Sequence, residues 1–296
     1  MTESRAEYLI VLAESDPVAT AVGEVWGVPS ATGDFVEGTA IRRLSERSLL
    51  LRRPGPHVLD ERLDAKLPER LRAARVPLVF PSIHRSGSGT PCFTVHPLGN
   101  PTASAELGGR PARLTPSEPR RMASALRALA ERGTALGLDT TLEATHHGPL
   151  LDHPAFFVEI GFGDDVRPPP DAVVSLAMVL PELEPDPDDR IAVAIGGGHY
   201  APHFTDLVLK RRWAIGHILS RHAIEAATHE VARAAWEGTP GAVGWLCARA
   251  ADYAAGPWAE FGGRAREADA PRRGRAVIPG IDPNPSARGA GRSSGT

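Results

Sequence analysis

The chain's pattern predicts an α/β fold, with a mixed sheet flanked by helices. Three observations carry that expectation. Short apolar, β-branched runs such as Ile191-Ala192-Val193-Ala194-Ile195 recur along the chain, and helix start signals stand between them. With 296 residues, 42% of them hydrophobic, the chain can bury a sizeable core.

Taken in order, Tyr8 to Ala13 reads as the first strand. Asp16 followed by Pro17 pairs an N-cap with a first helical position, so a helix is expected from Pro17 toward Trp26. Residues 40 to 75 read as extended segments with a short helix at Leu67 to Ala74. Val76 to Phe80 is a strand with His84 just beyond it, and His96 follows a second brief β run from Cys92. Thr115-Pro116-Ser117-Glu118 has the form of a capping box and predicts a helix with Met122, Ala125, Leu126 and Leu129 on one stripe, ending near Gly133.

The next strand, Thr140 to Thr145, runs into His146-His147-Gly148-Pro149. Adjacent residues on an extended segment face opposite ways, so one histidine should face a site while the other packs behind it. Glu143 and Thr145 share a face. Ala155 to Gly161 is an apolar strand interrupted by Glu159, a carboxylate costly to bury without an arginine, a metal or other donors beside it. Asp171 to Leu180 reads as a helix and Pro181 to Asp189 as an acidic, proline-rich loop. The run Ile191 to Ile195 then opens directly into Gly196-Gly197-Gly198-His199-Tyr200-Ala201-Pro202. Consecutive glycines let a backbone take positive φ and approach a ligand, and His199 can bind metal or move protons. Phe204 to Lys210 should be helical, Trp213 to Leu219 a strand holding His217, and two helices, Ala223 to Trp236 and Ala242 to Ala255, complete the domain. Residues 262 to 296, rich in Arg, Gly, Pro and Ser, cannot support a packed core and are expected to form a disordered tail behind a single domain of residues 1 to 261.

Composition narrows the function classes. No apolar run is long enough for a membrane span, and the polar start, Met1 to Glu7, lacks a signal-peptide pattern, which places the protein in the cytoplasm. Cys92 and Cys247 are the only cysteines, so a metal site must draw on the eleven histidines and on carboxylates. The formal charge of -3 is uneven: residues 262 to 296 hold seven Arg against three acids, leaving a negative body. Arg85, the run Lys210-Arg211-Arg212 and the tail are the candidates for phosphate contact.

His84, His96, His146 and His199 all fall at expected strand ends, where α/β sheets bind ligands, with Glu143 and Glu159 near them. This suggests a His/carboxylate metal site or a general acid/base cluster, zinc being the natural ion. The glycine run lacks the Lys-Ser/Thr ending of a P-loop and the dinucleotide fingerprint. His229-Glu230 meets Arg233 where a zincin helix needs its second histidine, and Ser86-Gly87-Ser88-Gly89 lacks the glycine frame of a Gly-x-Ser-x-Gly elbow. Residue pattern alone reaches a metal-assisted hydrolase or a His-rich binding site.

The ordered blocks Ser15-Asp16-Pro17, Ile83-His84-Arg85-Ser86, Thr94-Val95-His96-Pro97, Glu143-Ala144-Thr145-His146-His147-Gly148-Pro149, Val158-Glu159-Ile160-Gly161 and Gly196 to Pro202 resemble the archaeal and plant type of D-aminoacyl-tRNA deacylase, over about residues 8 to 222. The resemblance implies a nucleoside-phosphorylase-like α/β core with peptidyl-tRNA-hydrolase-like features. It also implies hydrolysis of the ester between a D-amino acid and tRNA, with two zinc ions per chain; apart from the resemblance, a monomer with no protein partner is expected. The resemblance assigns no individual ligand; from their places at expected strand ends, His84, His96, His146 and His199 are the candidate zinc ligands, some of which would hold the ion, and His199, Glu143, Glu159 and His147 are candidate catalytic residues. Asp16, Ser86, Thr94, Thr145, Gly196, Gly197, Gly198 and Tyr200 are candidate substrate contacts. The competing readings are another metal-dependent hydrolase on the same core, cleaving peptides or nucleosides, and a non-catalytic tRNA- or nucleotide-binding protein.

Overall fold

The structure, a computed structural model, describes residues 7–85, 89–163, 167–254 and 256–261, and the backbone of 265–267. β1 (Tyr8–Ala13) leads into α1 (Pro17–Trp26), then β2 (Ala31–Val36), β3 (Thr39–Arg43), β4 (Ser48–Arg53) and the short α2 (Glu69–Ala73). β5 (Leu78–Arg85), β6 (Cys92–Pro97), β7 (Gly99–Asn100) and β8 (Arg113–Leu114) precede the long α3 (Pro119–Leu136). β9 (Asp139–Leu142), β10 (Ala155–Phe162), α4 (Pro170–Val179), β11 (Arg190–Ile195), α5 (Pro202–Arg211) and β12 (Trp213–Leu219) follow. α6 (Arg221–Glu225), α7 (His229–Glu237), β13 (Trp245–Cys247), α8 (Ala250–Ala254) and β14 (Ala265–Glu267) close the chain.

Eight strands form a mixed sheet in the order β2-β3-β4-β1-β5-β10-β6-β9, so the α/β expectation holds. Its centre is parallel, with β1 between β4 and β5 and with β5 beside β10, while β6 runs antiparallel to β10. A second sheet, β12-β11-β13-β14, is parallel throughout. Both faces of the central strands are buried, which is why β1, β10 and β12 are near-continuous apolar runs without alternation. Among the described residues no helix is long and apolar enough to cross a membrane.

The expected helix after Asp16 forms as read: its Oδ1 accepts from the Val18 and Ala19 amides at 2.8 and 2.9 Å. The stripe Met122, Ala125, Leu126 and Leu129 is fully buried. Four expectations are corrected. The capping box does not form, because the Thr115 hydroxyl donates to the Pro149 carbonyl and accepts from the Leu151 amide; α3 therefore starts at Pro119 without a side-chain cap. α3 also passes Gly133 and ends at Gly137, which takes the left-handed conformation. The helix expected over 223–236 is two helices, since Thr228 caps a new start by accepting from the Val231 amide at 3.3 Å. The helix expected over 242–255 holds β13 before α8, because Trp245 to Cys247 completes the second sheet beside β11. Within the segment expected to be a disordered tail, 265–267 pairs with β13; the rest of 262–296 lies outside the described residues.

Candidate metal and catalytic site

The site is built on one face of the large sheet. Side chains two apart along a strand share a face, and register then decides which rows meet. Gly161 lies beside His84 and Cys92, Glu159 beside Ser82 and Thr94, and Phe157 beside Phe80 and His96. A polar row, Ser82-Glu159-Thr94, thus lies between two histidines contributed by neighbouring strands. Gly161 has to be glycine, since a Cβ there would stand 2.7 Å from Cys92 Sγ and 3.1 Å from His84 Cδ2. His84 and His96 are therefore within strands, not beyond their ends; the apolar run before His84 simply continues pairing with β10 to its last residue.

The other wall comes from β9 and the glycine loop. The Glu143 amide still donates to the Val95 carbonyl of β6 at 3.0 Å, and the chain there also pairs with the loop: the Ala144 amide donates to the His199 carbonyl at 2.8 Å, and the Ala201 amide to the Leu142 carbonyl at 2.9 Å. This places Glu143 against Tyr200. Its carboxylate, wholly buried, approaches His84 Nδ1 at 3.1 Å, His199 Nε2 at 3.2 Å and His146 Nε2 at 3.6 Å. Glu159, the charge that folding alone did not explain, has no arginine ion pair among the described residues. It approaches His84 Nδ1 at 3.4 Å and His96 Nε2 at 3.7 Å, and accepts from the Thr94 hydroxyl at 3.4 Å.

His146 and His147 do not split between two faces. His147 has a φ of 42°, which turns the backbone and brings its ring to 4.4 Å from that of His146 and 4.9 Å from that of His96. Phe157 lies under this group, stacked on His96 at 5.2 Å and edge-on to His147 at 4.9 Å. Each of the three imidazoles presents Nδ1 to a main-chain carbonyl: His96 to Pro97 at 3.2 Å, His146 to Ala144 at 2.8 Å and His147 to Gly148 at 2.9 Å. In the neutral ring that contact keeps the proton on Nδ1 and leaves the lone pair on Nε2; at His96 burial opposes charging, but the facing Glu159 and Glu143 outweigh it and raise the ring above its ordinary value.

Ligand atoms converge in three overlapping groups, each within 4.8 Å: His96-His146-His147, His84-Glu143-His199 and His96-Glu143-Glu159. The donor set fits a metal on a second count. His96 Nε2 and both Glu143 oxygens are buried without an aligned hydrogen-bond partner, although imidazole nitrogens stand near them. Buried polar atoms that face one another without a shared proton are ordinarily costly, and a cation between them removes that cost. Cys92 is no competitor, as burial pushes its thiol up to about 12.

Charge follows the geometry. Burial, reinforced by the neighbouring imidazoles, holds His146 well below its ordinary value and lowers His147 to about 4, so both are neutral. For His84 burial acts the same way, but the facing Glu143 and Glu159 outweigh it and push it up to about 8. Burial would raise both carboxylates, yet the surrounding histidines hold Glu143 and Glu159 below the usual carboxylate range.

The expected substrate contacts are placed unevenly. Tyr200 is at the site, its hydroxyl 2.6 Å from His84 Nε2. Gly196 has a φ of 100°, and a Cβ there would lie 2.3 Å from Asp252 Oδ2; Gly197 and Gly198 are partly exposed, and the space on the Cβ side of Gly197 is open for 4 Å. Thr94 is beneath Glu159. Asp16 is occupied, since its Oδ2 accepts from the Ser82 hydroxyl at 2.8 Å and the Ile83 amide at 3.0 Å while Oδ1 caps α1. Thr145 faces the second sheet, accepting from the Ile218 amide at 3.0 Å beside His217. Ser86 lies outside the described residues. Sequence reading missed Phe157, whose apolar strand context gives no sign that it floors a histidine cluster. It also missed Glu61, whose carboxylate accepts from the Gly109 amide at 2.6 Å and the Leu150 amide at 3.1 Å, on either side of the segment packed against His147.

Residues 74–251 match the profile of the family described as D-aminoacyl-tRNA deacylase. The D-aminoacyl-tRNA deacylase of Thermoplasma acidophilum is 38% identical over 173 residues, 58% of this chain and 67% of that protein. That of Methanosarcina mazei is 37% identical over 189 residues, 61% of each. The matched stretch therefore spans about two thirds or less of these relatives' length. The crystal structure of AF0625, a conserved protein of unknown function, superposes with a TM-score of 0.74 at 26% identity, covering 88% of this chain and 95% of that one. With the family profile matching well over half its length and the histidine and glutamate motifs gathered into one site, the chain belongs to the D-aminoacyl-tRNA deacylase family of enzymes.

Proposed function

We propose that this chain hydrolyses the ester linking a D-amino acid to the terminal ribose of tRNA, and that it does so with zinc held by Nε2 of His96, His146 and His147 and by the Glu143 and Glu159 carboxylates. Family membership supports the reaction. One observation carries the metal: three imidazoles each spend Nδ1 on a main-chain carbonyl and turn Nε2 toward a carboxylate or one another. Zinc bound there would polarise the ester carbonyl and lower the pKa of a bound water toward about 7.

The protein's own groups account for the rest. Glu143, ionised and lacking an aligned partner at both oxygens, takes the proton from the attacking water. His199, half-exposed and 3.2 Å from Glu143, stands at the mouth and passes that proton on toward the ribose oxygen that leaves. His84, fixed between Tyr200 and the two carboxylates, keeps Glu143 and Glu159 charged. Gly197, open on its Cβ side, leaves room for the aminoacyl group against the loop.

The test is hydrolysis of D-Tyr-tRNA and L-Tyr-tRNA by the full chain, with and without a chelator. Release from the D-ester that is abolished by chelation and restored by zinc is the expected result. An undiminished rate in chelator removes the metal from the proposal, and intact D-Tyr-tRNA in the presence of zinc removes the reaction.

A further inference from the structure

We infer that Arg110 and Arg221 form a phosphate-binding rim at the mouth of the site, and that its ligand is the sugar-phosphate backbone of the 3′ strand of the substrate tRNA; this rests on the substrate reading above. The basic run expected to contact phosphate, Lys210-Arg211-Arg212, does not suit that task. It ends the ten-residue α5, about 15 Å along the helix from the His199 end. Lys210 is paired with Asp206 at 2.7 Å, and Arg212 with Asp186 at 2.6 Å. Arg47 and Arg70, elsewhere on the surface, are likewise neutralised by Glu184 and Asp34.

Arg110 and Arg221 differ in both respects. Each is exposed, and neither has an acid within ion-pair distance among the described residues. The Arg221 amide donates to the Gly197 carbonyl at 3.0 Å, which anchors it to the glycine loop that carries His199. Arg110 follows Gly109, and Gly109 packs so closely on the residue after His147 that a Cβ would stand 3.2 Å from Gly148 Cα. The two arginines are thus tied to two different walls, one bearing His199 and the other His147, and these walls meet where the rings of His146 and His199 stand 4.7 Å apart.

A terminal ester that reaches those rings must leave its own strand running out past the mouth. The nearest charges on that strand are its phosphates, and a guanidinium without a carboxylate partner binds phosphate through paired N–H donors with no ion pair to break first. The amino acid and the terminal nucleoside are then gripped inside, and register along the strand is set outside.

The test uses the full chain and an uncharged acceptor-stem minihelix ending in CCA, with binding measured across a salt series, alongside turnover of D-Tyr-tRNA and of a D-tyrosyl ester of adenosine. Arg110→Ala and Arg221→Ala should each weaken minihelix binding about 5- to 10-fold and reduce the slope of log affinity against log salt by about 0.7 to 0.9. Arg110→Lys and Arg221→Lys should restore most of that slope, and turnover of the adenosine ester should be that of the wild type in every variant. Lys210→Ala and Arg212→Ala should bind as the wild type does. Unchanged affinity and slope in both alanine variants, or an equal loss from Lys210→Ala, overturns the rim. An arginine-dependent slope with no hydrolysis of D-Tyr-tRNA would leave the rim standing and remove the catalytic reading, while hydrolysis with unchanged slopes does the reverse.

Discussion

His147 shows how one backbone angle redirects a side chain. Its φ of 42° is uncommon outside glycine, Asn, Asp and His being the side chains found there most, and it is what places a second ring beside His96. Asn accepts the same conformation, so His147→Asn removes the imidazole with little added strain. The expected outcome is a melting temperature near that of the wild type with deacylation lowered about 100-fold, the order lost with an acid/base or ligand group; wild-type activity would take His147 out of the site. Glu143→Gln should lose at least as much, read as kcat on D-Tyr-tRNA, because the amide neither holds a cation nor accepts a proton. His217 makes a different prediction. Burial lowers it to about 3, against 6.5 for the free side chain. The unfolded chain therefore binds a proton that the folded one refuses, and this contribution to stability is present above pH 6.5 and is lost as pH falls from 6.5 toward 3 at about 1.4 kcal/mol per unit. Asn at position 217 does not titrate and can still meet the Thr145 hydroxyl. In urea unfolding at pH 7.5 and 5, the His217→Asn variant should therefore lose less stability than the wild type; an equal loss would sink the assignment. The histidines and glutamates of the site were all legible as residue types in motifs. Their geometry was not, since neither a positive φ at a non-glycine residue nor the register that sets Glu159 between His84 and His96 is written in local pattern.

Elements were legible where the pattern had only local demands to meet. Tyr8 to Ala13, the Asp16-capped α1 and Trp213 to Leu219 fall where they were expected because burial on both faces, or one cap, suffices to specify them. Pattern failed where a tertiary partner competed for the same group. Thr115 binds Pro149 and Leu151 in preference to capping α3, and Trp245 to Cys247 pairs with β11 although alanines around it favour helix. The glycine loop offers a test of how tightly its element is specified. At Gly196 a methyl group would stand 2.3 Å from the buried Asp252 carboxylate and 2.9 Å from Ala248 Cβ, on a backbone with φ of 100°. At Gly197, φ is 80° but the space beyond is open. Gly196→Ala should therefore cost about 2 to 4 kcal/mol, from overpacking added to backbone strain, and Gly197→Ala about 1 kcal/mol from strain alone. If Gly197 faces the aminoacyl group, its alanine variant should raise KM for D-Tyr-tRNA while remaining folded. Thermal melts and steady-state kinetics on the pair check both halves, and equal melting temperatures would contradict the packing argument.

The two sheets meet at the site. His84, His96 and Glu159 belong to strands of the large sheet, and His199 to the loop after β11 of the small one, while Glu143 to Thr145 crosses between them by bonding to His199 and Ile218. A cation held by Glu143, whose segment pairs with the His199 loop, and by His96 and Glu159 of the large sheet would cross-link the halves. Its binding energy should then appear in the stability of the whole chain and not only at the site. At free zinc about 100-fold above the dissociation constant the gain is about 2.7 kcal/mol. Chelation should lower the melting temperature, and zinc should restore it. Hydrogen exchange should show where the link acts: on chelation, amides of the 195–205 segment should lose protection more than those of β1, which carries none of the site's side chains. His199→Ala removes the group at the mouth while leaving the proposed ligands His96, His146, His147, Glu143 and Glu159 in place. Its melting temperature should rise with zinc as much as that of the wild type, while deacylation falls. A smaller zinc-induced rise than the wild type's would show that His199 is itself a ligand and that the small sheet holds the ion directly.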